Sequence, residues 1–207
     1  MRHAVAHLRR TDPVLRGVIE RIGPCRFRVL DQGTHFEFLA RAIVGQQLSG
    51  KAASTIFQRV RSLAGNGHLE PDLLLALPDE RLRQAGLSRQ KLASLRDLAA
   101  HATDGRLAVE RLHRLDDEEI FSQLVQVRGI GTWTVQMFLM FRLGRPDVLP
   151  TSDLGVRKGI QRAYRLRAVP APKRVEQIGQ RWAPYRTIAS WYLWRLLDAE
   201  PIERRRA

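Results

Sequence analysis

Two short stretches of this chain hold residues whose types and spacing can do chemistry. "VRGIGTWTVQ" (127–136) places Gly129 and Gly131 in a turn between apolar helical stretches, with no acidic residue among them. Glycine tolerates positive φ and lacks the Cβ that would keep an incoming phosphate backbone away. The N–H groups opening the second helix have no intrahelical partner and lie at the positive end of its dipole, which suits an anion. Arg128 adds charge beside them. The same turn also fits a tight helical hairpin with a glycine cap. The second stretch, "VLPTSDLGVRKG" (148–159), sets Asp153 at a helix start. There the dipole favours the carboxylate as an anion, able to stabilise a developing cation and orient a water. Locally, Asp153 fits a helix cap helped by Ser152 equally well, and Asp147 reads as a turn residue after Pro146.

Composition narrows the chemistry. The chain has 207 residues, enough for one domain or two small lobes sharing a cleft, and 44% are hydrophobic, enough for a core. Its 35 Lys and Arg against 21 Asp and Glu leave a formal charge of +14, which favours a polyanionic partner, although a solvated arginine surface accounts for part of it. Cys25 is the only cysteine, which excludes an internal disulfide, a four-cysteine zinc site and an iron–sulfur cluster held by this chain; it reads as a small buried hydrophobe. The six histidines lack metal-ligand spacing. No apolar run approaches the roughly 18 residues of a membrane span. The N-terminus, "MRHAVAHLRRTDP", lacks the apolar run of a secretory signal. An intracellular, soluble protein is expected.

Helical spacing must position these residues. "DPVLRGVIERIG" has Asp12 as cap, Pro13 in the first turn, Gly23 as stop, and Leu15, Val18, Ile19 and Ile22 on one face. "FEFLARAIVGQQLSGKAASTIFQRVRSL" is interrupted at Gly45 and Gln46–Gln47, with Ser49 capping a second helix. "LPDERLRQAG" and "SRQKLASLRDLAAHA" form a helical hairpin at Gly86, and Asp116 with Glu119 has the spacing of a capping box. "TWTVQMFLMFRLG" follows the glycine turn, "RPDVLPTSD" is a loop, and "LGVRKGIQRAYRL" restarts a helix that Pro170 and Pro172 break. "VEQIGQRWAPYRTIASWYLWRLLD" supplies the last one or two helices, and the tail "ERRRA" is expected to fray. "CRFRVL" allows at most a small hairpin. With no βαβ alternation, the fold class is all-α.

Four motifs in order, "AIVGQQLS" (42–49), "GIGTWTV" (129–135), "PTSDLGVRKG" (150–159) and "RWAPYRTIASWYLW" (181–194), with "LVQVRGIG" leading into the hairpin, give a resemblance. It runs from about residue 30 to 197. The chain resembles the helix–hairpin–helix (HhH-GPD) DNA glycosylase superfamily, in its alkylated-base branch typified by bacterial 3-methyladenine DNA glycosylase II. The resemblance implies a two-lobed helical fold with the active site in the inter-lobe cleft. One lobe would span about 33–155 with the hairpin at 120–142, and the other about 1–32 plus 156–207. The β-rich N-terminal domain of larger relatives would be absent or vestigial.

The function so implied is base excision repair by a monofunctional glycosylase. It would hydrolyse the N-glycosidic bond of flipped alkylated bases such as 3-methyladenine and 7-methylguanine and leave an abasic site. Asp153 would be the catalytic residue, stabilising the oxocarbenium-like sugar and orienting water. Bifunctional relatives carry a lysine where this chain has Trp133, and an indole cannot form a Schiff base, so no lyase activity is expected. Trp133 would stack on the cationic base, or else be plain core. Trp182 would also line the base pocket, as would Met137, where the family example has a tyrosine. Trp191, Tyr192 and Trp194 read as core. DNA contact would come from Arg128, Gly129, Ile130, Gly131, Thr132 and Thr134 of the hairpin, and from Gln46 as the residue probing the vacated stack. Leu87 or Arg89, in "GLSRQK", would be the wedge, against a solvent-facing hairpin. Arg186 matches a family position and could equally brace the last helix. Lys51, Arg157, Lys158 and Arg162 are candidates for a phosphate track. The chemistry needs no metal or organic cofactor, although hairpin carbonyls can hold a monovalent cation in relatives. The expected partner is double-stranded DNA with damaged bases, and the expected state is a cytoplasmic, nucleoid-associated monomer. Two alternatives stay open: a glycosylase for deaminated or oxidised bases, and a non-catalytic DNA-binding module.

Overall fold

A computed structural model of the chain describes residues 1–65 and 67–199. The expectation of a frayed "ERRRA" tail lies outside them. Twelve α-helices form among the described residues, with no strand. In chain order they are α1 (Arg2–Thr11), α2 (Pro13–Ile22), α3 (His35–Gly45), α4 (Gly50–Ser62), α5 (Pro71–Ala76), α6 (Asp79–Gln84) and α7 (Arg89–Thr103). Then come α8 (Asp117–Leu124), α9 (Thr132–Met137), α10 (Leu154–Ala163), α11 (Pro172–Gly179) and α12 (Arg186–Asp198). A π-helical turn, Phe138–Arg142, continues α9.

The sequence signals act where they were read. Asp12 Oδ1 accepts from the N–H groups of Val14 (2.9 Å) and Leu15 (3.0 Å), and Gly23 ends α2 at φ 82°. Ser49 caps α4, and Asp116 and Glu119 complete a capping box on α8. Pro172 starts α11, at its first turn, but neither it nor Pro170 ends the preceding helix: α10 stops at Ala163, ahead of a left-handed Arg165 at φ 54°. Helix α1 escaped the sequence reading because only Ala4 and Leu8 are buried on an otherwise polar, arginine-rich helix. "CRFRVL" has no regular secondary structure and forms no hairpin; Cys25 and Phe27 pack on the core instead.

The chain forms two compact units, Met1–Val29 with Gly144–Ala207, and Leu30–Leu143. The expected boundary at 155 is therefore corrected to 143/144. The loop leading to Asp153 is anchored on α12 and so belongs with the N- and C-terminal helices, not with the hairpin.

The first unit packs α10 on α12 and α12 on α2. Its core includes Leu8, Leu15, Ile19, Val156, Ile160, Ile178, Trp182, Tyr192 and Leu193. Asp12 is fully buried and knots this core: Oδ2 accepts from the Trp182 indole at 2.8 Å and from the Tyr164 hydroxyl. A buried carboxylate is tolerated because donors surround both oxygens. In the second unit, α7 packs against α3 and α5, and α3 against α4. Arg142 closes that unit by donating to the carbonyls of Leu30 (2.7 Å) and Gln32 (3.1 Å) and to His35 Nδ1 (2.9 Å).

Candidate active site and hairpin

In the second unit, the turn between α8 and α9 uses its two glycines differently. Gly129 has φ 81°, and a Cβ there would stand 2.6 Å from Ser94 Oγ on α7. The fold alone requires that glycine. Gly131 has ordinary extended backbone, φ −104° and ψ 177°, and a Cβ there would meet nothing within 4 Å. Neither packing nor conformation explains it, so the surface it leaves bare is its distinguishing property. No side chain caps α9, so the first-turn N–H groups rely on partners from outside the helix.

Helix α7 braces the turn from behind. Asp97 Oδ2 accepts the Arg128 N–H at 2.7 Å, and Lys91 Nζ donates to the Val44 carbonyl at the end of α3 at 2.7 Å. Gln46 Nε2 donates to the Gly129 carbonyl at 2.7 Å, which brings the "GQQLS" turn to the hairpin. Gln46 is thus held as a strut. Gln47, at φ 59°, and Leu48, 38% exposed, are what that turn presents outward. The sequence reading missed both; the signal it had was the apolar Leu48 standing outside the periodicity of either flanking helix.

The hairpin residues divide by exposure. Arg128, Gly129, Gly131 and Thr132 are exposed, whereas Ile130 and Thr134 are buried and can offer a ligand only their backbone. Trp133 is 46% exposed, so it is not a core indole. Met137, one turn on, is packed inside. Leu87 is corrected: it is 4% exposed, part of the core beneath the α6–α7 turn, and cannot serve as a wedge there. Arg89, at the start of α7, is exposed. Trp182 is corrected as well. It is fully buried with its indole N–H committed to Asp12, and so is a core residue with no open face for a base.

In the first unit, Asp153 is the N-cap of α10 and is partly exposed. Its Oδ1 accepts two hydrogen bonds, from the Val156 N–H at 2.7 Å and from the Trp194 indole at 2.8 Å. Trp194, read from sequence as core, is therefore a direct partner of the candidate catalytic group. No local pattern announces this, since the two are brought together by the packing of α12 on α10. The loop leading to Asp153 is pinned by the start of α12. Arg186 grips Asp147 with Nε at 2.7 Å and Nη2 at 2.8 Å. Thr187 Oγ1 donates to the Arg145 carbonyl and accepts the Val148 N–H. Burial works to raise the Asp147 carboxyl, but the Arg186 guanidinium and backbone N–H outweigh it and hold the group below its ordinary range. Arg186 braces a loop, and Asp147 is its anchor.

Among the candidates for a phosphate track, Lys51 and Lys158 are exposed. Arg157 donates to the Pro170 carbonyl (2.8 Å) and Arg162 to that of Leu196 (2.7 Å), so both are engaged in joining elements of the fold. Among the described residues no group of three or more His, Cys, Asp or Glu gathers to hold a metal ion, and no helix is long and apolar enough to cross a membrane.

Residues 40–184 match the HhH-GPD superfamily of base excision DNA repair proteins. The chain is 36% identical to DNA-3-methyladenine glycosylase 1 of Schizosaccharomyces pombe, over 93% of this chain and 86% of that protein. It is 25% identical to DNA-3-methyladenine glycosylase 2 of Escherichia coli, over 92% of this chain and 68% of that one. The solved structure of the S. pombe enzyme Mag1 in complex with abasic DNA aligns with a TM-score of 0.85, covering 93% of this chain and 95% of that one. A DNA-3-methyladenine glycosidase from Bacillus halodurans aligns at 0.82 with 37% identity, covering 93% and 88%.

Proposed function

Since the chain belongs to the HhH-GPD superfamily of base excision DNA repair proteins, we propose that it releases alkylated bases from DNA by hydrolysis, with Asp153 as the catalytic residue. One observation carries this reading: a partly exposed carboxylate stands at the N-terminus of α10 with Oδ1 fixed by two N–H donors. Such a group arrives at the reaction already oriented, so little reorganisation is needed as charge develops. Adenine alkylated at N3 or guanine alkylated at N7 carries a positive charge, so it departs as a neutral base by taking the electron pair of the N-glycosidic bond with it. No acid is needed to protonate it. The charge moves to the sugar C1′, where an adjacent carboxylate stabilises it. Water then bonds to C1′ and gives up a proton, leaving an abasic sugar.

Trp133, 46% exposed, supports a preference for cationic bases, because an indole face attracts a cation. It also supports a monofunctional reaction, since the position carries no amine to attack C1′. Leu48, exposed on the turn that Gln46 ties to the hairpin, replaces Leu87 as the apolar side chain available to fill the vacated stack. The DNA backbone would lie against Gly131 and the first-turn N–H groups of α9, beside Arg128. A monovalent cation at the turn would be held by its backbone carbonyls, of which that of Gly129 accepts the Gln46 amide and that of Val127 the Ile130 N–H. We place the protein on the bacterial-type nucleoid or its equivalent inside the cell, as a monomer.

The test uses methylated duplex DNA with chromatography of the freed bases. The wild type should release 3-methyladenine and 7-methylguanine. Asp153→Asn should lose release by at least about a hundredfold while still binding duplex. Release of hypoxanthine or oxidised bases alone would transfer the chain to another substrate class. Covalent trapping to DNA by borohydride would contradict the hydrolytic route.

A further inference from the structure

Helix α10 carries Gly155 and Gly159, four residues apart and so on one face. Neither has a left-handed φ, and glycine within a helix weakens it relative to alanine, so a different requirement must keep them. A Cβ at Gly159 would lie 2.7 Å from the Leu193 carbonyl oxygen and 2.8 Å from Leu193 Cβ. A Cβ at Gly155 would lie 2.7 Å from Trp194 Cδ1, 2.8 Å from Trp194 Nε1 and 3.0 Å from Asp153 Oδ1. The two glycines therefore form a groove that seats consecutive residues of α12.

We propose that Gly155 is a positioning residue for the glycosylase reaction: its missing Cβ leaves the space in which the Trp194 indole N–H reaches Asp153. This rests on Asp153 being the catalytic carboxylate. Gly159 sets the approach of the α12 backbone, whereas Gly155 sets where the indole edge stands once α12 is there. The atoms nearest a methyl group at 155 are the edge of one side chain and the carboxylate itself. The indole is displaced from Oδ1, and the helix stays in place. At 159 the obstacle is the Leu193 main chain, so the whole helix must lift.

The two substitutions should part in their consequences. Gly155→Ala should melt at or near the wild-type temperature and bind duplex carrying a tetrahydrofuran abasic-site analogue with unchanged affinity. Its single-turnover release of 7-methylguanine should fall about tenfold to a hundredfold, the rate equivalent of losing a hydrogen bond to a charged group. Gly159→Ala should lower the melting temperature. Trp194→Phe, which keeps an aromatic ring of smaller size and removes the indole N–H, should reproduce the Gly155→Ala loss of release with binding intact. Adding Gly155→Ala to Trp194→Phe should then cost little more, because both act on one hydrogen bond.

Folded Gly155→Ala with wild-type release overturns the proposal, as do losses that multiply in the double variant. If Gly155→Ala does not fold, Trp194→Phe decides: full activity overturns the positioning role, and loss of release with intact binding supports it. Asp153→Asn separates the two levels. An active Asp153→Asn sinks the catalytic assignment, whereas an inactive one beside a fully active Gly155→Ala sinks only the positioning role.

Discussion

Three tryptophans of this chain show how one residue type takes three roles from its surroundings. Trp182 is fully buried and spends its N–H on Asp12; Trp194 is partly buried and spends its N–H on Asp153; Trp133 is 46% exposed. A buried indole needs an acceptor for its N–H, and in the first unit both acceptors are aspartates at helix starts. Of the three, only Trp133 is largely exposed, as the proposed stacking on a flipped cationic base requires. We therefore expect Trp133→Ala to reduce release of 7-methylguanine far more than that of a neutral base such as hypoxanthine, by about fivefold to thirtyfold, the rate equivalent of about 1 to 2 kcal/mol of cation–π contact. Trp133→Phe should recover part of the difference. Equal losses for charged and neutral bases would show that the ring serves only as bulk.

At the scale of elements, the hairpin and the "GQQLS" turn behave as one assembly because α7 and Gln46 join them. Gly129 is required by the fold, Gly131 is not and is proposed to serve the ligand, and substitution should separate these duties. Gly129→Ala forces a left-handed φ on a residue with a Cβ and drives that Cβ against Ser94. It should cost about 1 to 2 kcal/mol from the backbone alone and more from the clash, read as a lower melting temperature. Gly131→Ala should leave the melt unchanged, since its Cβ meets nothing, yet weaken duplex binding by crowding the phosphate. A Gly131→Ala protein that binds duplex as well as the wild type would remove the hairpin from the DNA contact. The loop before Asp153 is the other assembled element. The Arg186–Asp147 pair and Thr187 hold its start, and α10 holds its end, so the carboxylate stands on a loop fixed at both sides.

At the scale of the whole molecule, the formal charge of +14 is lopsided: residues 1–29 and 144–207 hold 21 Lys and Arg against 8 Asp and Glu, residues 30–143 hold 14 against 13, and part of the excess is already engaged in structure. Arg142, Arg157, Arg162 and Arg186 all donate to carbonyls or carboxylates of the fold. The excess should therefore act through a few exposed groups rather than through the total. Affinity for undamaged duplex should fall linearly on a logarithmic salt scale. Three neutralised phosphates would already give about a fortyfold loss between 50 and 200 mM salt. Titration of a labelled duplex by anisotropy across that range checks it, and an affinity flat with salt would contradict the phosphate contact.

The sequence by itself determined the helical class and most helix boundaries, which follow from signals carried by neighbouring residues: apolar spacing, Asp12 and Asp116 as caps, Gly23 and Gly86 as stops, the paired glycines of the hairpin. It singled out Asp153 only through the ordered set of motifs, since locally that residue fits a helix cap as well. Only the tertiary structure decided which indole meets Asp153, that Trp182 and Leu87 are core, that residues 144–155 belong with the terminal helices, and that Gln46 is a strut. Each of those depends on contacts between residues far apart in the chain, such as Trp194 with Asp153 and Trp182 with Asp12. Such contacts are fixed by how helices pack, and a local pattern carries no information about the distant partner it will meet.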